Sequence, residues 1–138
     1  MQSNIANNKP FSVVMLDLNR FKVVNDTYGH SAGDDLLKQF SAELQSSVRP
    51  RDLVGRMGGD EFLLLMGTNV DGARSCVQRI KEWVFGKYTI QVGSGKGALS
   101  ILVEASIGLA EWHPGKTMEE VIEDADAAMY RDKKNSRK

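Results

Sequence analysis

The amino-acid sequence predicts an α+β domain, with an antiparallel-rich central sheet flanked by helices. Three observations carry that prediction. Apolar residues recur along the chain in the order strand, helix, hairpin, helix, hairpin, helix, with no internal repeat and no linker. The 138 residues suit one domain and are too few for two well-packed ones, so residues 1–138 are read as a single unit. Hydrophobic and charged fractions of 41% and 26% belong to a chain that can bury a core.

Residues 11–18, FSVVMLDL, are a β-rich apolar run that ends on Asp17 and reads as a buried strand delivering a carboxylate at its tip. The polar stretch over residues 19–33 is punctuated by Gly29 and Gly33 and has room for one helical turn around residues 21–25. Asp34 and Asp35 then open a helix. Its apolar positions Leu36, Leu37, Phe40, Leu44 and Val48 step by about one turn, the two acids suit the positive end of the helix dipole, and Pro50 marks its end. Residues 53–57 and 61–66 read as strands joined by a tight Gly58-Gly59 turn, because glycine accepts the positive φ angles that such hairpins use. The hairpin tip therefore carries Asp60 and Glu61. A helix over about residues 71–85 places Ala73, Cys76, Val77, Ile80, Trp83 and Val84 on one face. Residues 88–92 and 99–112 are the next strands, linked by a glycine-rich GSGKGA turn. Thr117 and Glu120 have the spacing of a capping box, and the helix they start runs through Val121, Ile122, Ala125, Ala128 and Met129.

Charge and cysteine content exclude several function classes. Eighteen Lys and Arg balance 18 Asp and Glu, so no overall field would hold the protein to nucleic acid or to an anionic membrane. A single cysteine, Cys76, excludes an internal disulfide and any multi-cysteine zinc site; it reads as a core residue. The apolar runs are too short to span a bilayer, and residues 1–10 lack a signal peptide's apolar segment, so the expectation is a cytoplasmic domain.

The chemistry concentrates on three carboxylates. Adjacency in the sheet would bring Asp17 at a strand end close to Asp60 and Glu61 at the hairpin tip. Together with a glycine pair that lets ligand approach backbone, they make an oxygen-ligand site suited to Mg²⁺ or Mn²⁺, metals that work on phosphates. Taken alone, Gly58-Gly59-Asp60 reads first as an ordinary hairpin turn with solvated acids. His30 has no accompanying nucleophile pattern and reads as structural, while Trp83 and Trp112 read as packing residues.

The run Gly58 to Phe62, GGDEF, is the signature of the GGDEF family of diguanylate cyclases, and the resemblance extends well beyond it. Asp17, Phe21-Lys22, Asn25-Asp26, Gly29-His30, Gly33-Asp34 and Leu37 resemble the family's upstream pattern with every spacing kept. Ser106-Ile107-Gly108 resembles its S-I-G strand, and Ala125-Asp126, Ala128, Tyr130, Lys133 and Arg137 resemble its last helix. The resemblance implies a palm-like fold similar to that of nucleotidyl cyclases and some polymerases, with a ferredoxin-like core. It implies condensation of two GTP molecules into cyclic di-GMP with release of two pyrophosphates. In that family reading Asp17, Asp60 and the carbonyl of Leu18 would hold Mg²⁺, and Glu61 would assist a second ion or help deprotonate the attacking 3′-hydroxyl. Asn25 and Asp34 would read guanine with Leu37 beside them, Gly58 and Gly59 would let substrate approach, and the amides of Phe21 and Lys22 with Lys133 and Arg137 would meet the phosphates. Arg49 and Asp52 have the spacing and register of the family's R-x-x-D inhibitory motif, where cyclic di-GMP would bind as feedback inhibitor.

The resemblance also sets expectations about what lies around the site. Asn19 stands where the family often has Asp, and Asp132 and Ser136 replace the small residue and the glycine that usually flank the last lysine. Family domains begin with a D-x-L-T-G-L-x-N-R segment and a helix, and this chain enters near the end of that helix. Each site holds one GTP, so a cyclic dinucleotide requires a transient antiparallel homodimer, with a sensory or dimerisation region outside this chain. The alternative function class is a non-catalytic module that binds GTP or cyclic di-GMP and signals by contact.

Overall fold

β1 (Ser12–Leu18) is buried along its whole length, as a strand covered on both faces must be. The computed structural model describes residues 9–92 and 97–136. β1 lies inside a four-stranded antiparallel sheet of order β2-β3-β1-β6, made with β2 (Leu53–Gly58), β3 (Glu61–Met66) and β6 (Ala105–Glu111). β4 (Gly86–Gln91) and β5 (Ala98–Val103) form a separate two-stranded ribbon.

Strand alternation divides the core between two faces. Val14, Leu16 and Leu18 with Phe62, Leu64 and Met66 point to one side, where they meet α1 (Phe21–Tyr28), α2 (His30–Ser46) and α3 (Val70–Arg79). Val13, Met15 and Leu63 point to the other, where Val121, Ala125 and Met129 of α4 (Met118–Ser136) cover them. Phe11 and Trp112 stack at 5.5 Å beside that second layer. The predicted capping box starts α4: Thr117 N–H donates to Glu120 Oε1 at 2.9 Å, and Glu120 N–H to Thr117 Oγ1 at 3.1 Å.

The structure corrects the element reading in five places. The helical turn near residue 21 is the two-turn helix α1, closed by Gly29 at φ 93°. α2 begins at His30, so Asp34 and Asp35 sit beyond its first turn and do not meet the dipole end. The Gly58-Gly59 turn uses no positive φ; a register shift between Arg56 and Gly58 accommodates the reversal instead. The run 99–112 is two strands in different sheets, because the Glu104 carbonyl turns to the Asn19 amide (2.9 Å) and the chain changes partner from β4 to β1. Trp83 is 76% exposed: after α3 the chain widens into a π-helical turn, Ile80–Val84, closed by Phe85 N–H on the Ile80 carbonyl, which carries Trp83 off the buried face. Residues 93–96 of the glycine-rich turn, residues 1–8 and Arg137 lie outside the described residues.

Candidate functional site

Asp17 is next to last in β1, and the antiparallel register sets it opposite Glu61 of β3 on one side and Ser106 of β6 on the other. One residue on, Leu18 N–H donates to the Asp60 carbonyl at 3.1 Å, which ties the strand end to the glycine hairpin through backbone. Asp17, Asp60 and Glu61 are thus gathered at one end of the sheet, where adjacency placed them. From the covering helix, Lys133 Nζ reaches Asp17 Oδ2 at 2.9 Å.

The electrostatics of this cluster are unbalanced. Asp17 is 7% exposed, and its second oxygen, Oδ1, is buried without a hydrogen-bond partner. Burial, and then the Asp17 carboxylate beside it, push the Asp60 carboxyl from 3.8 up to about 6. Burial followed by the charges of Asp17 and Asp126 raises Glu61 as well, with Lys133 pulling both acids the other way. Among the described residues, Lys133 is the one cation that bears on Asp60 and Glu61. An orphaned buried carboxylate oxygen among further carboxylates fits a hard divalent cation, which takes oxygen ligands. Among the described residues no three His, Cys, Asp or Glu side chains close into a ligand cluster, so backbone or substrate oxygens would have to complete the shell.

The turn after β1 runs through Arg20 into α1. Arg20 holds the left-handed conformation, φ 61° and ψ 22°, the one non-glycine residue with positive φ among those described. It leads directly into α1, whose first amides, those of Phe21 and Lys22, have no intrahelical acceptor. Asn25 is half-buried on α1, and its Oδ1 is a second buried oxygen without a partner. It packs so closely on Gly33 of α2 that a Cβ there would overlap it. Asp34, Leu37 and Lys38 of α2 line a groove of about 590 Å³ between α2 and the hairpin, with Arg56 and Phe62 on the hairpin side. Asn25 is not among the residues lining that groove, so the two base-reading candidates flank Gly33 instead of sharing one wall.

A family model for the diguanylate cyclase GGDEF domain matches residues 1–138. The chain belongs to the GGDEF family. The domain is 34% identical over 139 residues to the bifunctional diguanylate cyclase/cyclic di-GMP phosphodiesterase MucR of Pseudomonas aeruginosa, covering 99% of this chain and 19% of that protein. It is 36% identical over 137 residues to the diguanylate cyclase DgcM of Escherichia coli, covering 97% and 31%. These alignments take in about a fifth to a third of the relatives' own lengths. Among solved structures, the diguanylate cyclase SiaD of Pseudomonas aeruginosa, in complex with its activator SiaC, superposes with a TM-score of 0.86 at 33% identity, covering 97% of this chain and 50% of that one. The GGDEF domain of DgcB from Caulobacter crescentus, in complex with c-di-GMP, gives 0.83 at 25% identity, with 97% and 78% covered.

Away from the carboxylates, the R-x-x-D pair of this GGDEF domain is asymmetric. The Asp52 side chain is fully buried: Oδ1 accepts from Gly67 N–H at 3.2 Å, and Oδ2 accepts from Arg49 N–H at 3.2 Å and from its Nε at 3.4 Å. Arg49, 43% exposed, is the member that faces solvent. Sequence reasoning did not assign two further arrangements in the domain. Asp132 Oδ2 accepts the Ile107 N–H at 2.8 Å, on the outer edge of β6, one residue before Lys133. Asn19 Oδ1 accepts from Ser106 Oγ at 2.8 Å, beside Asp17. The substitutions at 19 and 132 that depart from the family pattern were the signal, and both prove to be local hydrogen-bonding residues.

Proposed function

We propose that this domain condenses two GTP molecules into cyclic di-GMP, each of two facing domains contributing one nucleotide. The observation that carries the proposal is the register of Asp17 with Glu61, together with the buried, unpartnered Asp17 Oδ1 and the raised Asp60. Asp17, Asp60 and the Leu18 carbonyl would hold Mg²⁺ or Mn²⁺; such an ion lowers the pKa of a bound hydroxyl and neutralises charge on phosphate oxygens.

The chain's own residues supply the remaining functions. Asp34 accepts from guanine N1–H and N2–H, a donor pair that adenine does not present. Asn25, seated against Gly33, is placed to contact the same base, and Leu37 packs against the ring. The amides of Phe21 and Lys22 bind the phosphates, with Lys133 and Arg137 adding charge. Gly58 and Gly59, with open space where their Cβ atoms would be, leave the hairpin tip accessible to substrate. Glu61 takes the proton from the 3′-oxygen; its raised pKa makes it a better base than an exposed glutamate. Each 3′-oxygen then bonds to the α-phosphorus of the opposing nucleotide, one α–β anhydride bond breaks per attack, and two pyrophosphates leave. One domain holds one nucleotide and cannot close the ring, so the productive species is a two-fold pair. Product feedback at Arg49 follows from its free guanidinium face, with the buried Asp52 orienting the arginine.

The test is incubation with GTP and MgCl₂ at rising protein concentration, followed by chromatographic separation of nucleotides. Cyclic di-GMP should form with a rate that rises more steeply than protein concentration and should disappear in Glu61→Ala. GTP retained without turnover would make the domain a binding module; release of GDP and phosphate would make it a nucleotidase.

A further inference from the structure

We propose that Arg56 reads the O6 and N7 edge of guanine, and so completes a base-specific pocket that Asp34 begins. The proposal rests on the reading of Asp34 as a guanine-binding residue and names its counterpart across the groove. Asp34 can satisfy only the donors of guanine, N1–H and N2–H. The base then presents two acceptors, O6 and N7, on its remaining polar edge, and a pocket that desolvates them must offer donors. Arg56 is the planar donor on the opposite wall of the same groove, which at about 590 Å³ has room for a purine.

The position of Arg56 follows from the hairpin. It is the register partner of Phe62, whose buried ring lies under the groove, so the arginine springs from a rigid base. Its Nε donates to the Gly59 carbonyl at 3.0 Å, which fixes the plane of the guanidinium at the turn and leaves the two terminal nitrogens as a fork. An arginine fork is the geometry that matches guanine O6 and N7 together. Lys38, one helical turn beyond Asp34, adds a second positive charge to the groove. Adenine, with an amino donor in place of O6, would set like polarity against both cations.

The experiment is calorimetric binding to the 138-residue chain, with Mg²⁺ present, of α,β-methylene-GTP and its 7-deaza counterpart, which lacks only the N7 acceptor. The unaltered chain should bind the first about tenfold more tightly, the discrimination expected of one charged hydrogen bond to a base edge. Arg56→Met should weaken the first and bring the ratio to about one, with thermal unfolding confirming that the variant is folded. A ratio that stays near ten in Arg56→Met, or that is already one in the unaltered chain, overturns the assignment of Arg56. Binding of the guanine nucleotide that is lost in Asp34→Ala keeps the broader reading intact in either case. Failure of the unaltered chain to bind either nucleotide defeats both.

Discussion

Replacing Gly108 by alanine tests how the last helix is held over the sheet. Gly108 lies in β6 where α4 crosses it, and a Cβ at this position would run into the Ala125 carbonyl and the Met129 amide and come within 2.8 Å of Met129 Cα. All three are backbone atoms of α4, so no side chain can rotate away. The helix must lift by about an ångström or more, since overpacked cores relieve such overlap only by backbone shifts. Overpacking costs about 1–3 kcal/mol, and with backbone on both sides the upper end applies, ~3 kcal/mol. For a domain of this size, that lowers the unfolding midpoint by roughly 10 °C. Lys133 is one turn beyond Met129, so the lift also draws its ammonium from Asp17, now at 2.9 Å. Thermal unfolding by circular dichroism and nucleotide binding by calorimetry should fall together. A midpoint within about 2 °C of the parent would refute direct backbone packing of α4 on β6.

Three further predictions follow from individual contacts. The Asp60 carboxyl is raised from 3.8 to about 6, so in metal-free protein its ionised form opposes folding: the penalty is absent below about pH 4, grows through pH 6 and is complete above it. Two pKa units correspond to about 3 kcal/mol, reduced to ~1–2 kcal/mol by the residue's partial exposure, and urea unfolding in EDTA at pH 8 should show Asp60→Asn stabilised by that amount, with the gain vanishing at pH 4. Gly33→Ala gains helix propensity of about 1 kcal/mol but displaces the Asn25 side chain, so its thermal midpoint should hold while guanine-nucleotide affinity falls several-fold in calorimetry. Asp132→Ala leaves the Ile107 amide without its carboxylate and should cost about 1–2 kcal/mol in urea, with Asp132→Asn, which keeps an acceptor, losing less.

What the sequence made legible was local and strongly patterned. The β1 run, the glycine hairpin and the Thr117–Glu120 box each carry their signal within a few residues, and they place Asp17, Asp60, Glu61 and Lys133 on the correct elements. The missed features depend on partners remote in sequence. Gly33 reads as a break, yet it lies within α2, where its missing side chain makes room for Asn25. Glu104 reads as one position in a long strand, yet its carbonyl is taken by Asn19 and the chain leaves one sheet for another. Trp83 follows the apolar period of a regular helix, and only the π-helical turn at Ile80 carries it into solvent. The R-x-x-D spacing gives no sign that Asp52 also accepts from the Gly67 amide and from the backbone and side chain of Arg49. Helical period and turn chemistry are encoded in short windows; close backbone approach and competition for a buried hydrogen bond are not.

The most direct measurement is Mn²⁺ binding followed by electron paramagnetic resonance, with α,β-methylene-GTP present, in the unaltered chain, Asp17→Asn, Asp60→Asn and the double variant. If the two carboxylates form one cation site, each single substitution should weaken Mn²⁺ by at least about tenfold, and the double variant should be little worse than either. Unchanged affinity in the single variants, or losses that simply add, would contradict a shared site at the end of β1.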